Sequence, residues 1–315
     1  MKKVLVVYYS QTGQLGRVVD SVCAPFEGVA DVQVDRCELA PARPYPFPWP
    51  FFAFFDQFPE SVHQDPPALA PLPIAPGTTY DLVILAYTVW FLSPSPPITA
   101  FLKSAEGRAL LSGTPVITLV ACRNMWLMAQ EDVKQLLKNA GARVCDHIAL
   151  VDRGSALATF ITTPRWMLSG KTDSIFGFPP PGIADDDIRN ARRFGLAIRA
   201  ALAAGQLDGH RAVLAGLEAA QVDDRLIASE KIGKRSFRIW GALVRAFGKQ
   251  GSIARVPVLV VYSVFLVAMI LTVVPISMVI RALLRPLLAP RLDLMRAYYE
   301  MPSGSGGERL SEFRP

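Results

Sequence analysis

Short apolar runs alternate with amphipathic segments over about the first two hundred residues of the chain. The runs VLVVYY, LVILAY and PVITLVA are uninterrupted, which is typical of strands buried on both faces of a parallel sheet. The pattern predicts strands over 3–9, 31–39, 82–87, 115–121 and 143–151, and helices over 15–22, 97–104, 127–140 and 185–204. This alternation indicates an α/β fold with an open, doubly wound, five-stranded parallel sheet.

A different pattern follows at 256–280, where 25 residues carry no charged side chain. A helix of this length is about 37 Å long, enough to cross a hydrocarbon core of roughly 30 Å. Basic residues flank the run on both sides: Lys231, Lys234, Arg235, Arg238, Arg245, Lys249 and Arg255 before it, and Arg281, Arg285, Arg291 and Arg296 after it. We therefore expect a membrane helix, with a kink at Pro275. It either spans the bilayer with the heavier basic flank in the cytoplasm or lies in the inner leaflet.

Composition narrows the class of protein further. The 315 residues are 51% hydrophobic and 19% charged, which excludes a disordered chain. Four cysteines without a C-x-x-C pair favour reduced thiols, with no metal site. The net charge of +6 is concentrated beside the apolar run, without the interleaved aromatic residues of a nucleic-acid-binding module, so we expect no nucleic-acid partner.

These patterns divide the chain into four regions. Residues 1–204 form the α/β domain, with insertions at 41–76 and 152–183. A basic helical linker covers 205–255, the membrane helix covers 256–280, and a basic tail covers 281–315, with disorder expected from Met301.

Polar loops follow three of the predicted strands, at the edge where doubly wound sheets bind ligands. Ser10, Gln11, Thr12, Gly13 and Gln14 directly precede a helix, so hydroxyls, backbone N–H groups and the helix dipole together favour a phosphate. The loop lacks the lysine of a nucleotide-triphosphate loop, which favours a phosphomonoester, although an ordinary helix-capping turn has the same composition.

The other two loops add flat apolar surfaces to this edge. One begins Thr88-Val89-Trp90-Phe91-Leu92 and continues into prolines, and the other reads Ala121-Cys122-Arg123-Asn124-Met125-Trp126. A phosphate grip beside two loops that carry aromatic rings and hydrogen-bond donors suits a planar cofactor with a phosphate tail.

These loops resemble those of the flavodoxin-like superfamily of FMN-binding proteins, from Lys3 to about Ala204. The resemblance implies that FMN phosphate binds at Ser10 to Leu15 and that the isoalloxazine packs between the other two loops. The implied cofactor-binding residues are Ser10, Gln11, Thr12, Gly13, Gln14, Leu15, Thr88, Val89, Trp90, Phe91, Leu92, Ala121, Cys122, Arg123, Asn124 and Trp126.

A closer resemblance covers most of the chain. The run from Tyr9 to Leu15, the segments WPFF and FPESV, the run ACRNMWLM and the C-terminal apolar stretch are similar to the dialkylresorcinol condensing enzyme family. The resemblance implies an FMN-dependent aromatase that oxidises a cyclohexanedione-type polyketide to a resorcinol in dialkylresorcinol or aryl-polyene lipid biosynthesis. It also implies a ketosynthase partner and a cytoplasmic-membrane location.

Such a reaction needs a base for the proton next to a carbonyl. Cys122 is one candidate, because neighbouring Arg123 could lower its pKa and stabilise an enolate. Tyr87 and His63 are the others, although each of these residues also fits a packing role. His147 falls within a strand and is expected in the core, and His210 is expected to be solvated.

The first insertion holds eleven of the 26 prolines and eight aromatic residues. We expect a short helix over 50–62 that acts as a lid on the flavin or contacts the bilayer or a ketosynthase, or simply packs on the sheet. The second insertion, with Arg153, Trp166 and Lys171, is expected to complete the substrate pocket. Two other functions remain open: a flavodoxin-type NAD(P)H:quinone reductase or quinone-linked dehydrogenase, and a membrane-tethered electron carrier.

Overall fold

Five parallel strands form the centre of the protein in a computed structural model that describes residues 1–209 and 211–314. They are β1 (Lys2–Tyr8), β2 (Val32–Glu38), β3 (Leu82–Tyr87), β6 (Pro115–Cys122) and β7 (Arg143–Val151). Their order in the sheet is β2-β1-β3-β6-β7, and each neighbouring pair is parallel. This is the doubly wound order of a flavodoxin-like fold, which confirms the fold class and all five predicted strands. His210 lies outside the described residues.

The remaining elements surround this sheet. A short antiparallel hairpin follows β3, formed by β4 (Val89–Trp90) and β5 (Ser93–Pro94). The helices are α1 (Gln14–Cys23), α2 (Phe51–Asp56), α3 (Phe58–Val62), α4 (Pro96–Lys103), α5 (Ala105–Leu111), α6 (Leu127–Asn139), α7 (Ala156–Ser169), α8 (Asp185–Asn190), α9 (Arg192–Ala203), α10 (Asp224–Ala246), α11 (Val256–Leu271) and α12 (Val273–Glu300). The helix expected over 50–62 is two helices, because Pro59 lacks the N–H that would continue the first one.

Apolar side chains cover both faces of the sheet, which explains why its strands are apolar without alternation. In β1, Val4 and Val6 enter the core formed with α1 and α9, whereas Leu5 and Val7 enter the core formed with α4 and α6. The first core depends on Gly195, since a Cβ at this position would lie 2.0 Å from the carbonyl oxygen of Val22. α1 and α9 can pack closely only with glycine at this contact.

A third apolar cluster lies outside the two sheet cores and is mainly aromatic. We call it the outer aromatic cluster; its principal members are Phe58 of α3, Phe91 of the β4–β5 turn, Phe237 of α10 and Tyr262 of α11. The rings of Phe58 and Tyr262 are 4.4 Å apart, and those of Phe91 and Phe237 are 5.8 Å apart. The cluster therefore joins the first insertion, the loop after β3 and the apolar helix.

The apolar run continues across α11 into α12, and by length and composition Ile253–Ser277 is the candidate span among the described residues. The helix is interrupted at Thr272, one turn before Pro275, where the proline ring displaces the carbonyl of Leu271. Three of the seven cations expected in the flank form ion pairs, one of them Arg245 with Asp65 at 2.8 Å. Arg255 is buried against Asp56 of α2 and Glu60 of α3. Lys234 of α10 is paired with Asp132 of α6.

Residues 303–309 pack against β7 and the segment around Gly216, which corrects the expectation of disorder for this part of the tail. Ser303 is buried, and its hydroxyl accepts a hydrogen bond from the backbone N–H of His147 at 2.7 Å and donates to Asp146 at 2.8 Å. The N–H of Ala149 in the same strand donates to the carbonyl of Ala219 at 2.8 Å. β7 is an edge strand, so its unpaired N–H groups require partners, and the tail supplies one of them.

Asp146 holds this arrangement together. Its carboxylate accepts hydrogen bonds from the N–H groups of Val213 and Leu214 as well as from Ser303. Burial raises the pKa of Asp146 to about 6, and the three donors limit the rise.

We expect Asp146→Ala to lower the free energy of unfolding by about 2–4 kcal/mol, because it leaves buried donors without an acceptor. Urea denaturation of the full chain in detergent measures this loss. Limited trypsin digestion should then cut at Arg309, which wild type protects. Asp186→Ala, which removes an exposed carboxylate paired with Arg189, is the control and should change the free energy of unfolding by less than about 1 kcal/mol. A released tail with unchanged stability, or the reverse, would contradict the role of Asp146.

Candidate functional site

The loop between β1 and α1 leads into a helix N-terminus at the carboxyl edge of the sheet. Gly13, the N-cap residue, takes a left-handed conformation with φ 80° and has no side chain that could cap α1. The Ser10 hydroxyl accepts a hydrogen bond from the N–H of Gly16 at 3.2 Å, which folds the loop back over the helix start. The Ser10 hydroxyl therefore lies beside the first N–H groups and the positive end of the helix dipole, an arrangement that favours an anion, and Thr12 belongs to the same loop.

The two glutamines of this loop have other partners in the structure. Gln11 donates to the carbonyl of Pro46 at 3.0 Å and accepts from the indole of Trp49 at 3.2 Å. Gln14 accepts from the N–H of Ile183 at 3.0 Å. Their side chains therefore hold the first and second insertions against the loop, a role that the sequence analysis did not foresee. Leu15 is buried in a sheet core.

The loop after β3 is a strained hairpin. Phe91 and Leu92, at its tip, have φ values of 52° and 58°. These lie in the left-handed region, which residues other than glycine rarely occupy. Such backbone conformations cost about 1–3 kcal/mol each and persist only where surrounding contacts impose them. Here Phe91 packs in the outer aromatic cluster, and the Lys234 ammonium donates to the carbonyl of Leu92 at 3.0 Å and to Ser93 at 2.6 Å.

The strained turn directs Phe91 and Leu92 away from the edge and leaves Trp90 beside it. The Trp90 ring lies 6.2 Å from Tyr9, 5.0 Å from Tyr45 and 5.5 Å from Trp49, all in edge-to-face arrangements. Thr88 and Val89, before it, are half-buried. An aromatic wall thus extends from the end of β1 across the hairpin into the first insertion.

The third loop follows β6, which ends at Cys122, a candidate base, with Arg123 directly after it. Burial raises the pKa of the Cys122 thiol well above its usual range, and the carboxyls of Glu230 and Asp152 add to this shift. The expectation that Arg123 lowers this pKa is therefore wrong. The Arg123 guanidinium instead lies 4.6 Å above the ring of Phe160 in α7, where burial lowers its pKa.

The two ends of this loop are buried in the core. Ala121 and Trp126 are buried, and the Trp126 ring lies 4.8 Å from that of His147. Asn124 is half-buried in the middle of the loop. His147 is a core residue, as expected, and burial lowers its pKa to about 3.

Tyr87 is also a core residue. Its hydroxyl donates to Gln130 at 2.5 Å, and the Gln130 amide donates in turn to Thr118 at 3.0 Å. Thr118 shares a hydrogen bond of 2.9 Å with His147. Burial raises the pKa of Tyr87 well above its usual range, so the side chain remains a protonated member of this network instead of a base.

His63 faces α10. Its Nε2 lies 3.2 Å from the carbonyl oxygen of Arg238, and burial lowers its pKa. A Cβ on Gly241 would come within 3.2 Å of the imidazole, so helix and ring are in close contact. None of the contacts described for His63 is with the three loops of the edge, so the structure does not bring it together with the other candidates.

The second insertion contacts the first insertion beside the same edge. The N–H of Trp49 donates to the carbonyl of Met167 at 2.8 Å, so the two insertions meet there. Asp152, at the end of β7, accepts from the N–H groups of Gly154 at 2.7 Å and Gly182 at 2.9 Å, which fixes both ends of the insertion.

Lys234 and Glu230 of α10 were not predicted as residues near the site, because the basic sequence of 205–255 predicted a linker. Lys234 joins the hairpin to α6, as described above. Glu230 is fully buried, and its carboxylate accepts from the N–H of Met128 in the first turn of α6 at 3.0 Å. Burial raises the pKa of Glu230 to about 8. The carboxyl therefore lies at the start of α6, near Cys122. An exposed-looking basic helix gives no sequence signal for such a position.

A cleft of about 690 Å³ opens between the first insertion and the foot of α11. Its lining is largely apolar and includes Tyr45, Pro46, Trp49, Phe52, Val256 and Leu259. Tyr45 and Trp49 also belong to the aromatic wall, so the cleft leads from the wall to the apolar helix. Its volume is within the range of sites that hold small organic molecules.

No family model matches the chain, and a search of curated proteins finds no match. Among solved structures, the chain is similar to a flavoprotein in complex with FMN from Lactobacillus acidophilus (16% identity, 47% of this chain and 93% of that chain, TM-score 0.39). It is also similar to oxidised flavodoxin 1 from Bacillus cereus (12% identity, 62% and 95%, TM-score 0.33). A third is general stress protein 14 in complex with FMN from Treponema denticola (10% identity, 64% and 99%, TM-score 0.32).

The position of Glu230 predicts a pH dependence of stability. The pKa of this carboxyl is about 8 in the folded protein and about 4.5 when exposed, so the unfolded chain binds fewer protons between these values. We therefore expect the free energy of unfolding to fall as pH rises from about 4.5 to about 8.

Glu230→Gln should remove this contribution and flatten the melting temperature against pH over the same range. Differential scanning fluorimetry in detergent measures both curves. Glu106→Gln, at an exposed position of α5, is the control and should preserve the wild-type slope. Equal slopes in Glu230→Gln and wild type would show that the carboxyl is already ionised at pH 5.

Proposed function

We propose that this chain binds FMN at the carboxyl edge of its sheet and acts as a flavin-dependent oxidoreductase. The observation that carries the proposal is the N-terminus of α1 with a glycine at its N-cap, which follows β1 at the carboxyl edge and lies beside the Trp90 wall. In a doubly wound sheet this is the switch point, where β1 has β3 on one side and β2 on the other.

The residues of the edge suit such a cofactor. Ser10, Thr12 and the first N–H groups of α1 would hold the phosphate, a donor set that needs neither a lysine nor a metal ion. Trp90 and the backbone of the Cys122 to Asn124 segment would face the ring. When bound, FMN supplies a two-electron acceptor, which is the chemistry that converts a cyclohexanedione into a resorcinol.

The substrate we propose is a lipid-like polyketide ring of the cyclohexanedione type. The apolar cleft between the first insertion and α11 supports this choice, because it offers an alkyl tail a path from the wall at Trp90 to an exposed apolar helix. The resemblance to dialkylresorcinol condensing enzymes leads to the same substrate. We further propose that the protein works at the cytoplasmic face of a membrane and receives its substrate from a ketosynthase.

The chain's own contribution to the chemistry is electrostatic. The Arg123 cation is positioned by the Phe160 ring and can stabilise negative charge that develops on a ring oxygen. Cys122 and Tyr87 remain protonated, so neither serves as the base. The hydrogen bond from the Trp49 N–H to the Met167 carbonyl joins the two insertions beside this edge.

Binding tests the first part of the proposal. The purified full chain should bind FMN, and Ser10→Ala with Thr12→Ala should weaken binding about 100-fold, since each hydroxyl contributes a hydrogen bond to a charged group. Fluorescence quenching of FMN measures this. Ser21→Ala, also on α1 but bonded to the carbonyl of Arg189, is the matched control and should bind like wild type. A chain that takes up no FMN would overturn the proposal.

The reaction is tested with the FMN-loaded protein without oxygen. A 2,5-dialkylcyclohexane-1,3-dione should bleach the flavin absorbance and yield the resorcinol in equal amount, and Arg123→Gln should slow bleaching about 100-fold. Its affinity for FMN is measured in parallel, so that lost binding is not mistaken for lost chemistry. Bleaching by NAD(P)H alone would favour a quinone reductase. Reduction only by a protein donor would favour an electron carrier.

A further inference from the structure

Two helices after the α/β domain, α10 and α11, present apolar side chains to solvent. On α11 these are Val264, Val267 and Leu271, with 54–70% of their surface exposed. On α10 they are Ile232, Ile239 and Leu243, with 45–62% exposed. We call these six residues the docking face. Large exposed apolar patches on a protein mark sites that contact another protein or a membrane.

One side of α11 packs against the rest of the protein. Leu259 and Tyr262 are buried in the outer aromatic cluster, and Phe265 lies 5.0 Å from Trp240 of α10. Val260, Val264, Val267 and Leu271 occupy the opposite side at helical spacing. A helix that crosses a bilayer alone contacts lipid on all sides, whereas this helix has one protein side and one free side.

Both ends of the apolar run are fixed to the same globular body. At the start, Arg255 pairs with Asp56 at 3.0 Å and with Glu60 at 2.7 Å. After the run, Tyr299 is buried in a sheet core and Ser303 is bonded to Asp146 of β7. A single crossing would place these two ends on opposite sides of the membrane, which the contacts forbid.

A second crossing cannot bring the chain back. The residues between the run and Tyr299 include Arg285, Arg291, Asp293 and Arg296, and each charge at the centre of a bilayer is costly. The described residues contain one helix, Ile253–Ser277, that is long and apolar enough to span. The return segment is therefore outside the hydrocarbon core.

The docking face of α10 has a basic border. Lys231, Arg235 and Arg238 are exposed and follow one another along one flank of the Ile232–Ile239–Leu243 stripe. An apolar stripe bordered by cations is the pattern of a helix that lies at a lipid surface with its charges among anionic headgroups.

We propose that α10 and α11 lie in the plane of one leaflet of an anionic bilayer, with the docking face in the acyl region, and that the chain does not cross the membrane. The N-terminal domain and the C-terminal tail then remain on the same side. Of the two arrangements that the sequence left open, this selects the interfacial one. The inference depends on contacts of α11 and of the tail and is independent of flavin binding, so either can fail without the other.

Topology is tested with the full chain carrying a different peptide tag at each end and produced in a bacterium. External protease should cut neither tag in spheroplasts and both tags in inverted membrane vesicles. A periplasmic protein and a cytosolic protein serve as controls for intact spheroplasts. Cleavage of the C-terminal tag from outside, with the N-terminal tag protected, would overturn the proposal in favour of a spanning helix.

Partitioning tests the docking face. Purified chain should float with vesicles that contain phosphatidylglycerol, and less with pure phosphatidylcholine or in high salt. Val264→Lys and Ile239→Lys should each weaken the partition coefficient about tenfold, whereas Val264→Leu, which keeps the side chain apolar, should retain it. A chain that does not bind vesicles and forms a stable dimer without lipid or detergent would refute the proposal. The docking face would then belong to an interface with a second copy of the chain.

Discussion

Burial of the outer aromatic cluster is the constraint on which the arrangement of this molecule depends. The two sheet cores are formed mainly by the α/β elements, with Ile227 of α10 and Tyr299 of α12 added to one of them. Neither core explains why the first insertion, the β4–β5 hairpin and α11 lie together. Rings from these three parts of the chain and from α10 meet in the cluster, with Phe58 and Tyr262 4.4 Å apart at its centre. Because aromatic side chains bury a large apolar area each, this contact fixes the apolar helix against the α/β domain.

The cluster also connects the proposed cofactor site to the proposed membrane surface by direct packing. Phe91 lies at the tip of the strained hairpin, and Phe237 and Tyr262 hold it from the side of α10 and α11. The strain at Phe91 and Leu92 is offset by these contacts and by Lys234. The position of Trp90 therefore depends on helices that come more than a hundred residues later in the chain.

Sequence patterns predicted what depends on local chemistry. Uninterrupted apolar runs predicted β1, β3 and β6, since burial on both faces leaves no room for polar positions, whereas β2 was predicted from the alternation of Val32 and Val34. The loop at Ser10 was recognisable because an anion-binding turn needs small polar residues before a helix. The partners of Gln11, Gln14, Cys122 and His63 were not predictable, because they come from insertions and from α10, which no periodicity places. The sequence around Arg255 and Glu230 predicts solvated charges, and only the tertiary contacts show that both side chains are buried.

The edge of β7 has a consequence for how the chain is made. His147 and Ala149 find their outer partners in Ser303 and Ala219, which follow the strand by 156 and 70 residues. At synthesis rates of about 5–20 residues per second, the growing chain carries an open sheet edge for roughly 8–30 s before Ser303 is added. During that time the edge can pair with another chain. A chain released before residue 303 lacks the side chain that closes this edge.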